Sequence, residues 1–186
     1  MTHKGTVTLE TQRLLLRRFT LEDAEAVYRN WASDPEVTKY LTWQPQRSIE
    51  ESKAVRQNNV ENYQRADYYN WAIVLKELDE PVGAISVVRL NEKTEAVDIG
   101  YALGRPWWGK GIVVEVFAEV IRFLFEEVGV QRIAAHHDPN NPASGRVMQK
   151  CGLTYEGTLR RSDWNNQGIC DAAYYSILRD EYSKNK

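Results

Sequence analysis

Residues 95–138, EAVDIGYALGRPWWGKGIVVEVFAEVIRFLFEEVGVQRIAAHHD, constrain the fold more than any other stretch. A strand-like run meets a glycine-rich turn. A helix follows, placed at about Gly109 to Glu127, in which Val113, Val116, Phe117, Val120, Ile121, Leu124 and Val128 recur at intervals of three and four. The run QRIAAHHD then reads as a second strand. A strand, a long helix and a strand make a crossover, so these two strands pair in parallel.

The remaining segments must fit around that unit. RLLLRRF, Arg13–Phe19, reads as a first strand with Leu14 and Leu16 on one face and Leu15 on the other. In TLEDAEAVYRNWAS, Thr20 is a helix cap with Asp23 three residues on. SDPEVTKYLTWQP reads as turn and irregular chain. SIEESKAVRQNNVENYQRA is helical in composition with a thin apolar face, so Glu50–Arg65 is a candidate lid. YYNWAIVLKE, PVGAISVVRLN and EAVDIGYAL are strands linked by short turns and therefore antiparallel. NPASGRVMQKCG is a short helix ending at Gly152, and LTYEGTLRRSDW and ICDAAYYSILRD close the chain as two strands about the turn NNQG. The order is β-α-α-β-β-β-α-β-α-β-β, an α+β fold with a mixed, mostly antiparallel sheet and helices on both faces. The length, 186 residues, suits a single domain over 1–186.

Charge and cysteine content exclude several classes. A formal charge of −2 provides no general basic field for nucleic acid. Cys151 and Cys170 form no CxxC pair and read as free thiols in a reducing cytoplasm. MTHKGTVTLETQRLLLRRF contains no apolar run of signal-peptide or membrane-span length. His136 and His137 are adjacent on a strand and point to opposite faces, with no further His or Cys beside them, so no metal is expected.

The turn itself reads as an anion site, because two glycines let the backbone approach a pyrophosphate at a helix N-terminus. Gly104 to Gly111 nearly matches the nucleotide pattern G-x-x-x-x-G-K-[ST], but Gly111 lacks the hydroxyl that would hold magnesium. A tight turn with no ligand is the plain alternative.

GRPWWGKGIVVEV resembles the acyl-coenzyme A turn [QR]-x-x-G-x-[GA] of the GNAT superfamily of N-acetyltransferases, and NPASGRVMQKCGLTYEG resembles its second signature, N-x-x-[SA] with a glycine-ended helix. The opening LETQRLLLRRFTLEDAEAVYRNWASDPEVTKYL and the closing YYSILRDEY resemble the branch of ribosomal-protein N-terminal acetyltransferases, RimJ and RimL. The [QR] position falls on Pro106 with Arg105 one residue early, which leaves the role of Arg105 open.

The resemblance implies acetyl-CoA as co-substrate, direct attack by a primary amine in a ternary complex, and no metal. The strand carrying Ile99, Tyr101 and Leu103 would pair with the pantetheine arm, and the strand RIAAHHD would splay away to open the slot. Arg105 and the turn Trp108, Gly109, Lys110, Gly111 and Ile112 would hold the pyrophosphate, with Asn141 on the pantetheine or a bridging water. Many members carry a tyrosine acid seven positions after that Asn; here the position is Met148, and Ser144 matches the serine of the RimL-like branch. For the base, the resemblance points to Asp163, with Asp98 as rival. Tyr40, Trp43 and Trp71 either form an aromatic acceptor wall or fill the core; Tyr175 is placed at the acceptor cleft. The acceptor is expected to be a protein or peptide N-terminus, such as that of a ribosomal protein. A small polyamine, amino sugar or antibiotic amine is the alternative within the class, and a non-catalytic coenzyme A-binding regulatory module is the alternative outside it. Neither nucleic acid nor membrane is an expected partner, and a homodimer stays open.

Overall fold

The computed structural model describes residues 1–184. Eight strands form one sheet in the order β1-β2-β3-β4-β5-β6-β8-β7: β1 Leu9–Glu10, β2 Leu14–Arg17, β3 Asn70–Leu75, β4 Glu80–Asn91, β5 Ala96–Leu103, β6 Arg132–His137, β7 Thr154–Asn165 and β8 Gly168–Leu178. All neighbours are antiparallel except β5 and β6, the pair bridged by the crossover helix. The helices are α1 Ala24–Val27, α2 Pro35–Thr38, α3 Ile49–Asn62, α4 Ile112–Phe123, α5 Pro142–Lys150 and α6 Arg179–Lys184. The α+β sheet of mixed direction is the one that the strand order implied.

Each face of the sheet has its own apolar cluster. Leu14 and Leu16 join Trp71, Ile73, Ile85, Ile99, Phe117, Val120 and Ile133 under α4, while Leu15 packs with Phe19, Trp31, Ala72 and Val74 on the opposite face. The alternation in LLL is therefore the device that commits one strand to two cores.

Several segments depart from the sequence reading. The helix after the turn begins at Ile112, not Gly109, because Gly109 and Gly111 both take positive φ (74° and 73°) and the chain becomes helical only beyond them. Its end widens into a π turn over Leu124–Val128, which Gly129 closes at φ 86°. Asp34 caps the unexpected helix α2, accepting from Glu36 N at 2.9 Å, with Pro35 in the first turn. Strand β1, two residues long, was not expected, and Arg179 and Asp180 leave the last strand to open α6.

Helix α3 does have a thin apolar face, and the structure supplies the reason. Its buried side is polar: Ser52, Arg56 and Asn59 lie one turn apart. Ser52 Oγ donates to Ala24 O at 2.8 Å, Arg56 Nε to Asn59 Oδ1 at 3.0 Å, and Asn59 Nδ2 to Tyr68 OH at 2.8 Å. The Arg56 guanidinium also lies 4.3 Å from the Phe19 ring centroid. Directional bonds of this kind fix α3 against α1, where an apolar stripe would only have pressed it there.

Candidate active site

The site starts from a gap in the sheet. β5 and β6 pair at only three positions, Ala96↔Arg132, Val97↔Ile133 and Asp98↔Ala134. Beyond them β5 runs on to Leu103, held by β4, and β6 to His137, held by β8. Main-chain groups facing the wedge between them lack a strand partner, which suits an extended, amide-bearing ligand.

At the mouth of the wedge stands the glycine turn. A Cβ built on Gly109 would meet nothing within 4 Å, and one on Gly111 only Arg13 Nη2 at 3.8 Å. The space is open, so the glycines answer to backbone conformation: both occupy the left-handed region that L side chains resist. Gly111 caps α4 without a side chain, leaving the first-turn N–H groups of that helix to an outside acceptor. Arg13 steadies the turn, its Nη1 donating to Lys110 O at 3.0 Å and its Nε to Glu115 Oε2 at 2.7 Å. Arg105 Nε donates to Asp34 Oδ2 at 2.9 Å, which ties the turn to the cap of α2, and its side chain stays more than half exposed. Trp108 Nε1 donates to Leu103 O at 2.8 Å, and its ring is exposed.

On the α4 side of the wedge, Tyr101 OH and Ser144 Oγ are 2.8 Å apart, and Tyr101 OH also donates to Ser144 O at 3.2 Å. Burial pushes the Tyr101 phenol up, so it stays protonated. Ser144 is the third residue of α5; its hydroxyl leaves the helix for the strand instead of capping it. Asn141 precedes the helix and its side chain makes no cap bond. Met148 is buried in the core, one turn after Ser144 on the same face of α5. Cys151 Sγ lies 3.6 Å from Val114 O, and burial raises its thiol to about 12, so it is no nucleophile.

The opposite face holds a second pair. His136 Nε2 and Asp163 Oδ2 are 2.9 Å apart, with side chains 32% and 31% exposed, and the His136 ring stacks on Tyr174 at 4.9 Å. Asp98 lies on this face too, in register with Ala134, and its nearest cation is Arg89 at 3.8 Å. The two carboxylates proposed from sequence thus share a face, but only Asp163 is joined to another proton-carrying group. His136 had been weighed only as a metal ligand; its partner lies 27 residues away on another strand, a distance that local pattern does not span. Among the described residues no cluster of His, Cys, Asp and Glu suits a metal ion, and no helix is long and apolar enough to cross a membrane.

The aromatic residues divide. Trp71 is 0% exposed, donates through Nε1 to Val7 O at 2.7 Å and packs on Phe123, so it fills the core and leaves the acceptor wall. Tyr175 is 7% exposed beneath α5, beside His137; the residue that stacks on His136, the partner of Asp163, is Tyr174, one position earlier and hence on the other face. His137 also accounts for Gly145, where a Cβ would come within 2.6 Å of its Nε2. Tyr40 and Trp43 lie in the segment between α2 and α3, which docks on the β7–β8 turn through Asn166. Asn166 N donates to Leu41 O at 3.1 Å, its Nδ2 to Thr38 O and Trp43 O, both at 2.8 Å, and its Oδ1 accepts from Gln44 Nε2 at 2.6 Å. Tyr40 OH donates to Asn140 O at 3.0 Å. The segment therefore forms an arch fastened to the sheet on the far side of the wedge. Asn166→Ala is expected to cost about 1–2 kcal/mol, a Tm fall of roughly 3–6 °C, because it removes the three side-chain bonds that fasten the arch; thermal denaturation measures it.

Residues 13–154 match the family described as Acetyltransferase (GNAT) domain. The chain is 34% identical over 171 residues to YoaA, an uncharacterized N-acetyltransferase of Bacillus subtilis (strain 168), covering 92% of this chain and 96% of that protein. It is 29% identical over 142 residues to the ribosomal-protein-serine acetyltransferase of Escherichia coli (strain K12), covering 75% of this chain and 78% of that one. A solved structure of RimL, a ribosomal L7/L12 alpha-N-protein acetyltransferase in complex with coenzyme A, has the same fold, with a TM-score of 0.83 at 22% identity over 94% of this chain and 99% of that chain.

Proposed function

The chain belongs to the GNAT acetyltransferase family, and we propose that it is one catalytic domain that acetylates the terminal α-amine of a protein or peptide, with acetyl-CoA as donor. The donor supplies an activated acetyl group as a thioester. The wedge and the glycine turn fit it: an unpaired strand edge suits the amides of the pantetheine arm, and the open helix N-terminus suits a pyrophosphate without metal. We assign the pyrophosphate to the turn Trp108–Ile112, the pantetheine to the backbone of Ile99, Tyr101 and Leu103 and to Asn141, and the protonation of the leaving sulfur to Ser144. Tyr40 and Trp43 border the acceptor's approach.

The observation that carries this reading is that two hydrogen-bonded pairs flank the wedge on opposite faces, Tyr101–Ser144 and His136–Asp163. Transfer to an amine requires one group that gives a proton to the sulfur and another that takes one from the nitrogen. An α-amine, with a pKa near 8, asks less of such a weak base than a lysine side chain near 10.4. The likeness to a ribosomal-protein-serine acetyltransferase supports the same acceptor class.

Thiol release from acetyl-CoA is the measurement that checks this, run across peptides with free or blocked N-termini, a polyamine and an amino sugar. Free α-amines are expected to give the highest kcat/KM. Faster turnover of the polyamine or amino sugar would move the acceptor to small molecules, and binding without turnover of any amine would make the chain a coenzyme A-binding module.

A further inference from the structure

We infer that the atom that takes the proton from the attacking amine is Nδ1 of His136, and that Asp163 is a positioning residue that acts through the imidazole. This rests on the amine-acetyltransferase reading above. Four observations converge on it. His136 Nε2 faces Asp163 Oδ2 at 2.9 Å, and a carboxylate only accepts, so Nε2 carries the hydrogen and Nδ1 the lone pair. Nδ1 has no hydrogen-bond partner among the described residues, which leaves it open to an incoming N–H. The ring plane is set by Tyr174, stacked at 4.9 Å and 29°. Finally, His136 lies two residues beyond the last β5–β6 pair, Asp98↔Ala134, so it borders the wedge where the strands have parted.

The surroundings leave no better-placed acceptor. Asp98, on the facing strand, lies at the closed end of the wedge with Arg89 as its nearest cation at 3.8 Å. Arg132, on β6 itself, is bound to Glu156. Cys170 sits opposite Asp163 in the β7–β8 ladder, and burial with the nearby Asp138 and Asp163 charges raises its thiol. Asp138 follows on the loop, where its bonds to Asn140 and Asn165 hold its carboxyl below the usual range despite burial. Tyr174 presents a ring face.

The step balances without any further reactant. The amine nitrogen bonds to the acetyl carbon, the C–S bond breaks with its electron pair on sulfur, and the proton lost by nitrogen passes to Nδ1. The sulfur takes a proton from the Tyr101–Ser144 pair on the other face. The imidazolium keeps its Nε2–H on Asp163 and returns its proton to solvent, which its exposure allows.

Three variants test the assignment with a free-amine peptide and with an acceptor already neutral at the assay pH, such as a hydrazide. His136→Gln keeps a donor toward Asp163 but removes the lone pair. It is expected to lower kcat/KM for the peptide about 100-fold near neutral pH, to recover as pH rises through the amine's own ionisation, and to lose at most a few-fold with the hydrazide. Asp163→Asn is expected to lose less than His136→Gln, because the amide oxygen still accepts from Nε2–H and the imidazole keeps its lone pair. Asp163→Glu should restore part of the loss. A His136→Gln variant that turns over the peptide within a few-fold of wild type, or one less impaired than Asp163→Asn, would overturn the proposal and make the carboxylate the base. Acetyl-CoA-induced stabilisation of each variant reports that it is folded. If the wild-type protein acetylates none of the amines, it is the parent reading that fails.

Discussion

Gly111→Asp is expected to abolish acetyl-CoA binding while leaving the protein folded. Wild-type protein at 100 times Kd should gain about 2.7 kcal/mol from a ligand that binds only the native state, a Tm rise of roughly 5–10 °C, with no magnesium required. The expected loss follows from the position. Gly111 has φ 73° and caps α4, so a carboxylate there sits against the N–H groups that would hold the pyrophosphate, and repels the phosphates besides. The fold should survive, since a Cβ at Gly111 meets only Arg13 Nη2 at 3.8 Å and an acidic residue favours a helix N-terminus. Gly111→Ala separates strain from charge and should keep part of the binding. Differential scanning fluorimetry with and without acetyl-CoA measures all three proteins. Stabilisation of Gly111→Asp equal to wild type would place the pyrophosphate elsewhere, and a rise seen only with ATP and magnesium would replace the donor.

Ser144→Ala is expected to lower kcat by roughly ten- to a thousand-fold with little change in KM for acetyl-CoA or in Tm. Tyr101→Phe should fall in the same range. The two hydroxyls are 2.8 Å apart, and among the described residues the Tyr101 phenol has no other hydroxyl partner, so they act as one unit. The double variant is therefore expected to lose little more than the worse single variant, the non-additivity of a shared function. Additive losses would separate the two residues; unchanged turnover in Ser144→Ala would remove it from the mechanism.

The sequence made the scaffold legible where periodicity and punctuation coincide. The three–four spacing of α4, the alternation Leu14–Leu15–Leu16 and the glycine stop at Gly152 each report a local rule that tertiary packing then obeys. Ser144, Asp163 and the glycine turn stand out through local spacing matched to a family pattern. The rest depended on contacts between distant segments. Tyr101 was placed correctly on its strand, yet only the fold brings its hydroxyl to Ser144, 43 residues away. Trp71 reads like any half-exposed strand aromatic until three elements close over it. Arg105 was matched one residue off the family pattern, and the structure pairs it with Asp34, 71 residues back. Tyr175 lies under α5 while Tyr174, one position earlier, stacks on His136: in a strand, a shift of one residue is a change of face.

The short seam between β5 and β6 has a mechanical meaning. Only three registers join the plate β1–β5 to the plate β6–β8–β7 along the main chain, and the helices, not the ladder, keep the two plates together beyond that point. Beyond it the two strand edges share no ladder, and side chains such as Tyr101 with Ser144 and Asn166 with Trp43 cross the gap instead. The main-chain groups past the Asp98–Ala134 register can therefore take up an extended ligand and give it back without unzipping a single native strand pair, so a spent, thiol-bearing product would depart at no cost in native pairing.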